Sequence, residues 1–302
     1  MIIALELGLL YAVMAVGVYL TYRVLDFPDL TVDGSFTTGA AVAAVGIIAG
    51  APPWLATMLA LISGLLAGVV TGLLHTWGGI NPLLSGILTQ IALYSINLRI
   101  MGRSNLPLLR EKTLLTPLWD AGFRGTWVSV AIFAVFATII GAIVYWFLGT
   151  NYGVAMRAVG DNADMASAQG INVGTTKIVG VALSNALVAL CGAVIAQYQG
   201  FADISMGIGL IVAGLASVIV GQAIFGMTAV WQAILAAMLG SVIYRGVIQL
   251  ALSAGLNPND MKLISAVLVV IALVLPRWAP VRAWRQKRRL AAEVQAQEGT
   301  VA

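Results

Sequence analysis

The stretch Asn151–Lys177, NYGVAMRAVGDNADMASAQGINVGTTK, is a polar run held between two long apolar ones: no residue from Gly125 to Met156 is charged, and none from Ile178 to Ala202 is. A segment this polar between two apolar spans lies in water, so the chain leaves the membrane here and re-enters it. Within the run, Asp161 followed three residues later by Asp164 predicts a capped helix start resembling a capping box, and Gly170 predicts its end. The helix so bounded has about two turns and is too short to be stable alone. It rests on the membrane surface or on a soluble partner, or the segment is an ordinary connecting loop containing a capped turn.

Composition carries the same message across the whole chain. Of 302 residues, 60% are hydrophobic and only 9% charged, against about 25% charged in soluble domains. Gly34–Leu98 runs for 65 positions and Ile204–Tyr244 for 41 without Asp, Glu, Lys or Arg, far beyond the roughly 20 residues that one span needs. Each run therefore folds back on itself, and the fold class is all-α: a polytopic helical membrane protein with broken or re-entrant helices. The net charge of +4 comes from a terminal cluster and reads as membrane topology rather than as nucleic-acid binding. The single cysteine, Cys191, excludes an internal disulfide and a cysteine metal site. No basic n-region precedes the first apolar segment, so a cleaved signal peptide is not expected.

Gly, Pro, Asn and charged breaks divide the chain into nine segments: about 2–22, 34–50, 53–76, 81–101, 126–149, 176–197, 207–226, 228–250 and 259–276. Residues 1–276 form a transmembrane domain with the loop 151–177 inside it, and 277–302 form a basic tail. Six Lys or Arg and no acid between Arg277 and Arg289 put that tail in the cytoplasm by the positive-inside rule. Counting back places the 151–177 loop on the cytoplasmic side and the 102–125 loop and the N-terminus outside, although Arg103, Arg110, Lys112 and Arg124 on the 102–125 loop run against the rule. Gly64, Gly68 and Gly72 in the third segment predict close helix packing. Tyr22–Gly34 and Tyr198–Gly207 each carry an aromatic, an Asp and a Gly after an apolar helix, and they precede small-residue helices containing Gly39 and Gly214. That is the pattern of an inverted repeat, or else a chance likeness.

No catalytic constellation is present. His75, the one histidine, sits beside Trp77 where interfacial placement is expected. GINVGTTK (170–177) lacks the Gly-Lys-Ser/Thr end of a phosphate-binding loop, so no ATPase motif and no cofactor or metal site is expected. Intramembrane charges are costly and informative. Glu6 and Arg245 are expected to face protein or a water-filled cavity, by structural pairing, by snorkelling to an interface or as substrate contacts. Asp29 and Asp33, with Thr31 and Ser35, either line a pathway or cap the following helix. Asp29–Gly39 and Asp203–Gly214 are expected to approach the axis of a dimer or a cavity beside it, and an amphipathic rather than strongly charged lining there suits a zwitterionic or neutral solute.

Together LDFPDLTVDGSFTTGAAVAA (25–44) and RAVGDNADMASAQGINV (157–173) resemble the permease subunits of ABC importers in the broad branched-chain amino-acid and ribose permease family, over about Leu5–Leu275. The resemblance is strongest to a subgroup linked to amino acids, aromatic ones among them, and the chain lacks the additional first helix of ribose-type members. It implies a cytoplasmic ATP-binding ATPase subunit, an extracytoplasmic solute-binding protein and a second copy of this chain as partners, in a bacterial inner membrane. It places ATPase coupling on Arg157, Gly160, Asp161, Asn162, Met165, Ala166, Gly170 and Ile171, and the translocation path near Asp29, Thr31, Asp33 and Gly34, to which the repeat adds Asp203. A self-sufficient ion-coupled transporter using Glu6, Asp29 and Asp33 is the alternative.

Overall fold

Inside lipid a backbone must satisfy its own polar groups, and the long uncharged runs therefore become helices. The computed structural model describes residues 2–255 and, beyond them, residues 263, 265–267 and 269–270. Among these, seven helices are long and apolar enough to cross a membrane. They are α1 (Ile2–Tyr19, prolonged by a π-helical turn over Leu20–Val24), α2 (Thr31–Ile48), α3 (Pro53–Thr76), α4 (Pro82–Met101), α6 (Trp127–Gly149), α9 (Val173–Gln199) and α11 (Val230–Ser253). The shorter apolar helix α10 (Leu210–Phe225) follows a break. Three short helices lie in connections: α5 (Thr116–Asp120), α7 (Asn151–Asp161) and α8 (Ala163–Ala168). The expected segment 259–276 lies largely outside the described residues, and the basic tail 277–302 wholly so.

Small residues decide how these helices meet, as expected where apolar burial gives no drive for association. Gly64, Gly68 and Gly72 of α3 face Asn185, Ala182 and Ile178 of α9 so closely that an added methyl group would meet α9 backbone at all three. A methyl group on Gly39 of α2 would run into the carbonyl of Ala189 in α9, and one on Gly192 of α9 into the carbonyl of Phe36 in α2. The core around these contacts contains Met14, Leu20, Phe27, Phe36 and Ile195, each almost completely buried.

Two halves of the chain repeat one arrangement in opposite directions. In each, a long helix is followed by a break, a small-residue helix and an antiparallel partner: α1, α2, α3 and then α9, α10, α11. Helix α1 packs on α11 as α9 packs on α3. Glu6, near the start of α1, meets Tyr198, near the end of α9, so the two long helices are antiparallel. A constant shift of 175 residues superposes Gly34, Gly39 and Gly46 of α2 on Gly209, Gly214 and Gly221 of α10. The Gly39 contact obeys the same shift, since Gly39 abuts Ala189 where Gly214 abuts Met14 and Val18; Gly46 abuts Ala56 in α3 and Gly221 abuts Ala236 in α11, the same pairing of helices in a different register. This ungapped register pairs Asp33 with Ile208, so the acid belongs to one half only.

Glu6 is fully buried and fixes the start of α6. Its Oε1 accepts hydrogen bonds from Gly125 N at 3.1 Å and from Ser129 Oγ, and Oε2 accepts one from Tyr198 OH at 2.5 Å. Its role is structural: from across the bundle it holds the residues that open α6. Arg245, the other expected intramembrane charge, lies over the Tyr11 ring with its guanidinium carbon 3.6 Å from the centroid, a cation–π contact. At the end of the bundle shared by Glu6 and Tyr198, β1 (Asn105–Pro107) pairs antiparallel with β2 (Phe201–Asp203), Leu106 opposite Ala202. The opposite end carries α7, α8 and the α10–α11 turn, where Arg23 Nη2 reaches Met227 Sδ at 3.3 Å.

Overpacking at a backbone contact should cost about 1–3 kcal/mol or more. We therefore expect Gly39→Val to lower the melting temperature of the detergent-solubilised protein and its yield of monodisperse material. Gly246→Ala, with open space around that position and an ordinary helical backbone, should leave both unchanged.

Candidate functional site

The break between α1 and α2 is built by local chemistry. The π-helical turn closes with Leu25 N bonded to Leu20 O at 3.0 Å, Asp26 adopts φ 49°, and Pro28 cannot continue a helix ladder. Asp29, buried, then caps the new helix: its Oδ1 accepts from Thr31 N at 2.9 Å, which is why α2 starts at Thr31 rather than at Gly34 as expected. Asn185 Nδ2, halfway along α9, donates to Asp29 Oδ2 at 2.6 Å, and the Thr31 and Thr71 hydroxyls meet at 2.8 Å. These bonds pin the broken end of α2 to α9 and α3.

Asp33 does for α10 what Asp29 does for α2. Helix α10 begins at an N-cap glycine, Gly209, whose φ of 84° suits a residue without Cβ but leaves no side chain to cap the helix. Asp33 supplies the missing oxygens from 176 residues away: Oδ2 accepts from Gly209 N and Oδ1 from Ile211 N, both at 2.7 Å. Gly207 N also donates to Thr37 Oγ1 at 3.1 Å. The starts of the two broken helices are thereby joined, with a carboxylate in the positive field of a helix N-terminus.

Beside this junction opens a cavity of about 450 Å³ whose walls include Asp33, Gly34, Thr37, Gln90, Tyr94 and Asn97. The last three lie at i, i+4 and i+7 on α4 and so form one polar stripe along it. Asn97 is fully buried, its Nδ2 lies 3.4 Å from Gly34 O, and its Oδ1 has no partner. Sequence reasoning passed over this stripe because it contains no charge; its helical spacing was the available signal. Asp203 stands apart from the junction in β2. It accepts from Asn105 Nδ2 at 3.1 Å and from Ser205 N at 2.8 Å. Burial acts to raise its pKa, and the hydrogen bonds from Ser205 and Asn105 outweigh it, holding the carboxyl below its ordinary value.

The polar loop differs from expectation in how its helices are cut. Asp161 is the last residue of α7 and caps nothing; Asn162, extended at φ −158° and ψ 103°, is the N-cap of α8, its Oδ1 accepting from Met165 N at 2.9 Å. The reason is that α7 exists at all: Gly153, Met156 and Val159 make a buried stripe at spacing three that carries helix through Asp161. Gly170, at φ 83°, ends α8 as expected. Its N–H bonds Ser167 O at 2.9 Å while Ile171 N bonds Ala166 O at 3.1 Å, the two bonds of a Schellman motif. GINVGTTK continues into α9 with Asn172 as its N-cap.

Met165 of α8 is 65% exposed, while Ala166 is buried within the chain, so Ala166 does not face outward. Arg157 and Ile171 are half-buried. Gly160 touches the chain at the α1–α2 break: a methyl group there would collide with the carbonyl of Val24 and meet Leu25. Leu25 in turn packs against Gly180, which also touches Met156. The loop is therefore in direct contact with the segment that leads to Asp29 and Asp33.

His75 is held structurally, its Nδ1 2.8 Å from Ile80 O. Among the described residues no group of three or more His, Cys, Asp or Glu is placed to hold a metal ion.

The family described as branched-chain amino acid transport system / permease component matches residues 1–274 of the chain. A tyrosine transport system permease protein of Clostridioides difficile is 42% identical over 266 residues, covering 88% of each chain. An uncharacterized protein of Rickettsia prowazekii is 35% identical over 278 residues, 90% of this chain and 96% of its own. An autoinducer 2 import system permease protein, LsrC, of Yersinia pestis is 29% identical over 222 residues, 72% of this chain and 59% of its own. No solved structure matches. With a polytopic helical bundle and a family match over nearly its whole length, this chain belongs to the permease components of branched-chain amino acid transport systems.

Proposed function

We propose that this protein is the transmembrane subunit of an ATP-driven importer and carries an amino acid with an aromatic side chain past the junction of α2, α4 and α10. The observation that carries this reading is the contact of Gly160 with Val24 and Leu25. It links a solvent-exposed loop helix to the broken helices beside the cavity, so that a displacement imposed on α8 is passed on to the segment holding Asp29 and Asp33. The family match and the relative named as a tyrosine transport permease support the amino-acid class. So does the lining: Tyr94, Gln90 and Asn97 offer an aromatic face and uncharged hydrogen-bonding groups, which suits a zwitterion better than a phosphate or a metal ion.

In this reading a cytoplasmic ATPase binds the loop end of the bundle, and a solute-binding protein approaches the β1–β2 end. The protein sits in the bacterial inner membrane with α7, α8 and the C-terminus in the cytoplasm. A second copy completes the path about a two-fold axis along the membrane normal, with the exposed face of α4 bearing Ile91, Tyr94 and Ser95 turned toward it. The coupling surface is the outer side of α8, Met165 with Asp164 and Ala168, while Asn162, Gly170 and Ile171 shape that helix and Gly160 transmits its movement. An ion-coupled mechanism would draw on Glu6, Asp29 and Asp33, yet both oxygens of each are engaged by uncharged donors.

In proteoliposomes holding the permease, ATPase and solute-binding protein, ATP should drive tyrosine uptake; uptake driven by an ion gradient with the permease alone would overturn the reading. Met165→Asp should leave the permease in the membrane and weaken its co-purification with the ATPase on the order of tenfold, the loss of one buried apolar side chain at roughly 1.5–3 kcal/mol. Asn162→Ala should remove about 1 kcal/mol of helix stability and reduce the ratio of solute carried to ATP hydrolysed, whereas Asp161→Ala should leave that ratio unchanged. Asp33→Ala orphans two N–H groups of α10, at about 1–3 kcal/mol each. It should abolish uptake while ATPase binding persists; normal uptake by a folded Asp33→Ala variant would remove the junction from the mechanism.

A further inference from the structure

At the end of the bundle that carries α7, a cavity of about 470 Å³ opens between the end of α6, the start of α7 and the start of α11, with Trp146, Thr150, Arg157, Val230 and Trp231 among its walls. Arg157 enters it half-buried, and its Nε is buried without an acceptor. Asp161, one helical turn further on, is not part of the wall, and neither is any other carboxylate among the described residues. A cation held in this way calls for an anion, because an unsatisfied buried charged donor is among the costlier defects a fold can hold.

Two independent features say which anion. Helix α11, of 24 residues, starts after Ala229 with no side-chain cap, so the free N–H groups and positive pole of a long helix open into the same space as Arg157. Apolar stripes also run along the bundle surface to this cavity. On α6, Ile132, Val135, Ile139 and Ile143 are exposed and lead to Trp146, which is 71% exposed; on α11, Leu235 and Leu239 lead back to Trp231, 54% exposed. The two helices touch between the stripes, where Met238 Sδ faces Gly141. An ion site for a free solute needs no such apolar approach, and exposed Trp at helix ends marks the headgroup level of a bilayer.

We propose that this cavity seats the headgroup of an anionic phospholipid, its phosphate held by Arg157 and by the N–H groups that open α11, its acyl chains lying along the exposed apolar stripes of α6 and α11. Arg23, at the neighbouring α10–α11 turn, adds positive charge to this corner and favours a headgroup with net negative charge over a zwitterionic one. The lipid bridges α6, α7 and α11, and it does not depend on which solute the protein carries.

The test is native mass spectrometry of the full-length permease in mild detergent, incubated with phosphatidylglycerol or phosphatidylcholine. The unaltered chain should retain phosphatidylglycerol preferentially, Arg157→Gln should lower that retention on the order of tenfold, as the loss of charge-assisted hydrogen bonds predicts, and Arg157→Lys should recover part of it. Equal retention by Arg157→Gln overturns the proposal, as does displacement of the lipid by millimolar inorganic phosphate, which would make this a free-anion site. So does an Arg157→Gln variant that keeps its lipid and loses the ATPase, which would give the cavity to a carboxylate of that partner. A second readout needs no substitution: phosphatidylglycerol should raise the melting temperature of the unaltered chain where inorganic phosphate does not, and the absence of a shift overturns the proposal.

Discussion

A carboxylate buried at membrane depth must be compensated, and in this protein the compensation comes from helix ends rather than from cations. Glu6 lies against the start of α6, Asp29 against the start of α2 and Asp33 against the start of α10, each bonded by backbone N–H or uncharged side-chain donors. A helix N-terminus offers unsatisfied N–H groups and a positive field, and a broken helix presents that terminus inside the bundle. Each defect answers the other. The two breaks that interrupt otherwise regular spans are tolerable because the acids are there, and the acids are tolerable because of the breaks.

This pairing sits on a frame set by small residues. Contacts of α9 with α2 and α3 run through glycines whose replacement would drive a side chain into a neighbouring backbone, so the scaffold around the junction has little freedom to adjust. The repeated halves share this packing but not the acid: the position equivalent to Asp33 in the second half is Ile208. The pseudo-symmetric scaffold therefore carries an asymmetric lock. At the helix starts, a first-half carboxylate caps the second-half helix α10, while the second half reaches back through Asn185 to Asp29.

Much of the scaffold was legible in the sequence because span length, small-residue spacing and breaker residues are local signals. The apolar runs fell into helices close to the expected limits, and Gly64, Gly68 and Gly72 do lie at a close helix contact. Two kinds of feature were not legible. Helix α7 hides in a polar stretch because its buried stripe is only Gly153, Met156 and Val159, and this misplaced the cap from Asn162 to Asp161. The partner of Asp33 lies 176 residues away, and nothing in a single sequence says which glycine N-cap lacks a side chain and will recruit one from elsewhere. The stripe of Gln90, Tyr94 and Asn97 was visible in principle; polar amides in a span attract less notice than charges, though they too need partners.

The seating of Gly160 on the carbonyl of Val24 bears on how such permeases can be recombined. Helix α7, helix α8 and the first turns of α9 form one mechanical piece with the end of α1, because Gly160 sits on Val24 and Leu25, and Gly180 meets both Leu25 and Met156. A chimera that exchanges only the loop would set a foreign α7 on a native Val24–Leu25 and lose the fit between them. The natural cut points lie outside both stretches, so a transplantable module has to carry the end of α1 together with the loop, although more than a hundred residues separate them in the chain.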